Sequence, residues 1–209
     1  MRAPLQGKVK TRLAKTLGDE KAAEFYRLCI ESMVAEICGL PEEVKRYILF
    51  DGPVHGYQTD RLIDLGFGLA MQEGGNLGQR LSNAFDMMLE KVARKVVIVA
   101  SDVPDLTTGI IQWALDSLDD SDVSIGPCHD GGYYLIGMKE LHRELFNDIS
   151  WSTGQVYKQT LDAAKKKGLV ISELPILVDI DTEADLRRWS KINNLKNSSL
   201  MDFLRTAGI

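Results

Sequence analysis

An α/β sandwich of strands joined by crossover helices is the fold class this sequence predicts, on three observations. Short β-branched runs alternate with longer helical stretches along the chain, the pattern that parallel strands with crossover helices require. The run Val96, Val97, Ile98, Val99, Ala100 is uniformly apolar and leads straight into Ser101 and Asp102, as a strand covered on both faces does at its carboxyl end. Finally, 209 residues with 44% hydrophobic and 26% charged side chains can bury one continuous core. Residues 1–209 are therefore read as one domain.

The elements follow in order. Asp19 opens a helix in which Ala22, Phe25, Leu28, Cys29, Met33 and Ile37 form one apolar stripe, and Gly39 and Pro41 end it. A strand over 47–50, a helix over 59–65 and a strand over 68–71 are separated by Gly or Pro. A helix over 77–92 precedes the strand 96–100. Further on, helices are expected near 109–118, 155–167 and 182–193, and strands at 123–125, 133–137 and 169–174, with 175–181 returning to the strand ends. A capping helix over 198–207 closes the chain. There is no internal repeat.

Composition excludes several roles. Thirty acidic against 25 basic residues give a net charge of −5, which argues against nucleic acid as a partner, since phosphate-backbone affinity needs clustered cations. Lys165, Lys166 and Lys167 read as a solvated helix end. Cys29, Cys38 and Cys128 are odd in number and lack paired metal-ligand spacing, so a reducing, cytoplasmic setting is expected. No apolar run approaches the roughly 20 residues that cross a bilayer. His55, His129 and His142 are scattered, and no Ser, His, Asp order suggests a hydrolase triad.

The residues with chemistry lie where strands end. Ligands of open α/β sheets collect outside the carboxyl ends of strands, so Asp102 is the first candidate metal ligand, with Ser101 beside it. A cap on the following helix is the competing reading for Asp102 and Asp105. Asp181, in Asp179, Ile180, Asp181, is the second candidate: two carboxylates about 4 Å apart repel by on the order of 4 kcal/mol at an effective dielectric of 20 unless a cation separates them. Helix initiation by Asp181 or Thr182 is the alternative there.

Four further segments are candidates. Gly7, Lys8, Lys10 and Arg12 join a permissive turn to cations and a helix start that can hold phosphate oxygens, but the Walker spacing is missing and, taken alone, the segment reads more readily as a solvated basic turn. Gly78 and Arg80 belong to a glycine-rich stretch that suits a nucleotide or, equally, a helix cap. Asp130, Gly131, Gly132 and Tyr133 read as a substrate-approaching loop or a plain hairpin turn. Trp151, with Ser152 and Thr153, covers the site or starts the next helix.

Taken together, residues 7–13 (GKVKTRL), 76–81 (NLGQRL), 101–106 (SDVPDL), 126–137 (GPCHDGGYYLIG), 151–153 (WST) and 179–186 (DIDTEADL) resemble uncharacterised microbial GT-A-type glycosyltransferase-like proteins. That group is related to the molybdenum-cofactor and 2-phospholactate nucleotidyltransferases. The resemblance implies a Rossmann-like GT-A three-layer sandwich with a mostly parallel central sheet. It implies Asp102 at the metal-binding aspartate, Asp181 as second contact to Mg²⁺ or Mn²⁺, and Lys10 and Arg12 on the phosphates with Gly7, Gly78, Arg80 and Ser101. It also puts Asp130 with Gly131, Gly132, Tyr133 and Trp151 on the acceptor side. Asp102, Asp130 and Lys10 are the implied catalytic groups.

In the resembled proteins an apolar strand precedes the GKVKTRL loop, where only residues 1–6 stand here. At about 3.3 Å per residue they make a stub, so the first strand is expected to be truncated, through a misassigned start or a shortened gene. The expected function is metal-dependent glycosyl transfer from a nucleotide-diphospho-sugar to a small-molecule acceptor. Nucleotidyl transfer with release of pyrophosphate is the alternative, and a non-catalytic nucleotide-binding or interaction protein the third. A second copy of the chain could complete the sheet as a homodimer.

Overall fold

The computed structural model describes residues 1–54, 59–192 and 198–207; His55, and Asn193 at the end of the helix expected over 182–193, lie outside them. In chain order the elements are α1 (Thr11–Leu17), α2 (Asp19–Cys38), β1 (Arg46–Phe50), α3 (Thr59–Asp64), β2 (Phe67–Met71), α4 (Leu77–Lys91), β3 (Val96–Val99), α5 (Thr108–Ser117), β4 (Val123–Pro127) and β5 (Tyr133–Met138). They continue with a 3₁₀ turn at Arg143–Phe146, then α6 (Val156–Lys167), β6 (Ile171–Glu173), α7 (Glu183–Ile192) and α8 (Ser198–Ala207). The α/β class is as expected.

Pairing adds detail to the expected sheet. β1 and β2 pair in parallel, and β4 and β6 do so too. β5 lies between β3 and β4 and runs antiparallel to both, so the central sheet is mixed. The reason is local: the connection from β4 to β5 is a tight turn over residues 128–132, too short for the crossover that parallel strands need. Gly131 takes a left-handed φ of 88° in that turn, and the Gly132 amide donates to Asp130 Oδ1 at 2.7 Å, a side-chain-closed turn.

β1–β2 and β3-β5-β4-β6 are separate ladders. At the end of β1, the Met1 amino group donates to the Leu49 carbonyl and the Asp51 amide donates to the Met1 carbonyl, both at 2.7 Å. Those two bonds form one parallel bridge opposite Phe50. Val97 and Val99 pack on one side of the sheet and Val96 and Ile98 on the other, the period-2 coverage expected of a two-faced strand. Yet all four are only half-buried, since among the described residues β3 is an edge strand, hydrogen-bonded to β5 alone.

Layering is set by α2, which buries two stripes where one was expected. Ala22, Phe25 and Cys29 face α1, α7 and α8, packing on Leu186, Trp189, Leu200 and Phe203. Ala23, Tyr26, Ile30, Met33 and Val34 face the sheet and α5. Residues at i and i+4 share a helix face, so the second stripe is Tyr26, Ile30 and Val34. On the other side of the sheet, α4, α6 and the 3₁₀ turn enclose Phe85, Ile136, Met138, Leu145 and Phe146. The described residues contain no helix long and apolar enough to cross a membrane.

Candidate functional site

Three chain segments meet beyond the carboxyl ends of β1 and β3. The first is the 7–12 loop. Gly7, at φ 69°, turns the chain, and buried Val9 anchors it in the core, leaving Lys8 exposed. Lys10 follows in a left-handed conformation, φ 47° and ψ 43°, immediately before α1, a geometry unusual for a side-chain-bearing residue. The second segment is the exit of β3, Ser101 and Asp102. The third is residues 178–181, where Val178 and Ile180 are buried among the C-terminal helices and Asp179 and Asp181 point the other way. The Ile180 amide donates to the Asp102 carbonyl at 3.1 Å and ties the last two together.

Lys10 joins all three. Its Nζ donates to Asp102 Oδ2 at 2.7 Å and to Asp181 Oδ1 at 2.7 Å, and its side chain is only 5% exposed. Burial by itself would lower the Lys10 pKa; Asp102 and Asp181 outweigh it and hold the ammonium well above its usual value. Arg12 Nη1 stands 3.8 Å from Asp181 Oδ2. Tyr26 lies beneath, its ring centroid 5.9 Å from Lys10 Nζ, its hydroxyl 2.8 Å from Ser101 Oγ. Arg2, Lys8, Val9, Lys10, Thr11, Tyr26, Asp102 and Asp181 line the open concavity.

The competing cap readings are decided by the helix ends. Thr107 caps α5, accepting from the Ile110 amide at 3.3 Å. At α7, Asp185 Oδ2 accepts from the Thr182 amide at 2.8 Å, while Thr182 Oγ1 accepts from the Asp185 amide at 3.3 Å. This reciprocal pair is a capping box, and it leaves the Asp102 and Asp181 carboxylates to Lys10.

Other candidates stand apart. Asn76 Oδ1 accepts from the Gln79 amide and Gln79 Oε1 from the Gly75 amide, both at 2.9 Å, so the NLGQ stretch caps α4. Gly78 is buried there, where an added Cβ would lie 2.7 Å from Trp151 Nε1 and 2.8 Å from the Phe146 carbonyl; close packing explains this glycine. Arg80 reaches back to Asp51 at 2.8 Å, which Arg2 also holds at 2.8 Å. Against the upward push of partial burial, these two guanidinium groups hold Asp51 below its usual pKa. Tyr133 meets Trp151 edge-on with centroids 6.5 Å apart. His129 is exposed.

A group that sequence reasoning left unassembled is Cys128, Asp130 and Asp179, whose ligand atoms all lie within 4.8 Å of one another. Burial, then Asp130, Asp102 and Asp181, push the Asp179 carboxyl up to about 6, and burial with Asp179 and Asp130 raises the Cys128 thiol. The alternation Asp179, Ile180, Asp181 was the available signal, since i and i+2 of an extended segment share a face.

Residues 36–153 match a family described as an uncharacterized protein conserved in bacteria, DUF2064. The chain belongs to this family. The matched span of DUF2064 holds Asp102, Asp130 and Trp151, whereas Lys10 and Asp181 lie outside it. The chain is 27% identical over 181 residues to a 2-phospho-L-lactate guanylyltransferase of Methanobrevibacter smithii, covering 85% of this chain and 76% of that protein. It superimposes on the crystal structure of a candidate nucleotide-diphospho-sugar transferase from Desulfovibrio desulfuricans G20 with a TM-score of 0.89 and 32% identity, over 100% of this chain and 92% of that one. The inositol-1-phosphate CTP transferase of T. maritima shares the fold, with a TM-score of 0.54, 16% identity and coverage of 98% and 94%. These relatives and neighbours are transferases, nucleotidyl or nucleotide-sugar by description.

Proposed function

We propose that this DUF2064 protein is a nucleotide-dependent transferase that binds the phosphates of its donor in the concavity around Lys10 and passes a nucleotidyl group to a small acceptor. The observation that carries it is the convergence of Lys10, Asp102 and Asp181 at the strand ends. A cation for phosphate and two carboxylates for a metal occur there within one hydrogen-bonded cluster, with Arg12 close by.

The donor set also fits a hard divalent cation. Asp102 and Asp181 offer oxygen ligands, the type Mg²⁺ and Mn²⁺ prefer, and they already close on one positive group. When bound by Asp102 and Asp181, the metal supplies charge neutralisation for a di- or triphosphate. The chain's own residues do the rest. Lys8, Lys10 and Arg12 hold phosphate oxygens and stabilise the charge that develops on the leaving pyrophosphate. An acceptor oxygen attacks the α-phosphorus of a nucleoside triphosphate; the bond to the bridging oxygen breaks, and pyrophosphate departs with its electron pair. Asp130, on the turn between β4 and β5, is assigned with Gly131 and Gly132 to the acceptor side, while Tyr133 and Trp151 pack behind that turn.

Nucleotidyl transfer is preferred because a relative 27% identical over 181 residues is a guanylyltransferase. Glycosyl transfer from a nucleotide-diphospho-sugar is the second reading, favoured by the description of the Desulfovibrio protein. Calorimetric titration with GTP, CTP, GDP and UDP, with and without Mn²⁺, tests both. Metal-dependent preference for a triphosphate supports nucleotidyl transfer, preference for a diphosphate supports glycosyl transfer, and binding of none of the four contradicts either.

A further inference from the structure

A cation already lies between Asp102 and Asp181, and it is Lys10. One ammonium hydrogen-bonds to both carboxylates at 2.7 Å, held by a side chain almost wholly removed from solvent. A divalent ion taking Asp102 Oδ2 and Asp181 Oδ1 would sit about 2.0–2.1 Å from each, in space that the Lys10 ammonium occupies. The two cannot share that position, because cations in contact repel. A displaced Lys10 would in turn leave a buried charge without partners, which is strongly unfavourable.

The adjoining concavity offers what Lys10 would need. Lys8, Thr11 and Arg2 line it with Lys10, Asp102 and Asp181, so three cations stand against two carboxylates with room for an anion, and the lysine stem is a flexible four-carbon chain. We propose that Lys10 is a latch: it occupies the metal position until a nucleotide phosphate accepts its ammonium, so that metal binding is conditional on nucleotide. This rests on the metal reading of Asp102 and Asp181 above. Linkage then makes the effect reciprocal, with metal and nucleotide each raising the other's affinity.

The test is Mn²⁺ binding without nucleotide, read by electron paramagnetic resonance of free Mn²⁺, in wild type, Lys10→Met and Asp102→Asn. The latch predicts that Lys10→Met binds Mn²⁺ at least about tenfold more tightly than wild type, and that Asp102→Asn binds more weakly than Lys10→Met. Asp102-dependent binding of equal or lower affinity in Lys10→Met overturns the latch and leaves the metal reading standing. Absence of any Asp102-dependent Mn²⁺ binding, in either protein and with GTP or CTP present, removes the metal reading and the latch with it. Should Lys10→Met not fold, lysine acetylation of the wild type, followed by mass spectrometry across a Mn²⁺ titration, carries the test. Lys10 should become more reactive as Mn²⁺ binds; unchanged protection at full Mn²⁺ occupancy overturns the proposal.

Discussion

Replacing Lys10 by Met removes the ammonium that holds Asp102 and Asp181 together while keeping most of the side-chain volume. Breaking a buried ion pair costs about 3–5 kcal/mol. Lys10 is 5% exposed, but the Asp181 side chain is 46% exposed, so water screens part of the loss and about 2–3 kcal/mol is expected. At about 2–4 °C per kcal/mol for a chain of this length, the melting temperature should fall by about 4–12 °C. Urea unfolding and calorimetry measure both quantities. Coupling supplies the control: in an Asp102→Asn background the same substitution should cost less by about 1 kcal/mol or more. Millimolar Mn²⁺ should restore much of the lost stability to Lys10→Met, since a metal ion can take the vacated place. A loss below about 0.5 kcal/mol, the size of an ordinary surface substitution, or no coupling with Asp102, would refute the view that Lys10 ties the three segments together.

Asp102→Asn should weaken Mn²⁺-dependent nucleotide binding at least about tenfold in calorimetry, whereas Asp105→Asn should change it far less; equal effects would reverse the assignment of roles. Gly78→Ala should lower stability by about 1–3 kcal/mol through collision with Trp151 and the Phe146 backbone, read as a fall in melting temperature, and an unchanged midpoint would show that α4 and Trp151 are not in close packing. The Asp179 carboxyl is pushed up to about 6 from 3.8, so the folded protein binds more protons than the unfolded chain between those values, and this group removes stability as pH rises through that window. Asp179→Asn should therefore stabilise the protein by about 1–2 kcal/mol at pH 7 to 8, after discounting for solvent. That gain should vanish near pH 4; a gain that grows on acidification would contradict the origin assigned to the shift.

Much of the fold was legible because local pattern and tertiary demand agree. β3 reads as apolar on both faces and is covered on both, and Gly39 ends α2 where punctuation placed it. The second buried stripe of α2 was present at i, i+4 spacing in Tyr26, Ile30 and Val34, yet it becomes evident only once the C-terminal helices pack on the opposite face. The direction of β5 follows from the length of a turn that the sequence left open between hairpin and binding loop. At the site, the types of residue were legible and their partners were not. Lys10 meets Asp102 across 92 positions and Asp181 across 171, separations no local pattern encodes. Two carboxylates that must approach require a cation, and the sequence alone could not say that the chain supplies its own. The caps at Thr107 and Thr182 are local, and neither uses the Asp102 or Asp181 carboxylate.

A crystal structure with Mn²⁺ and the nucleoside triphosphate that binds best, phased to show the manganese by anomalous scattering, tests the central claim most directly. The account predicts a manganese peak bridging Asp102 and Asp181, with Lys10 turned onto a phosphate oxygen. A peak at Cys128, Asp130 and Asp179 alone, with Lys10 still bonded to both carboxylates, would contradict it.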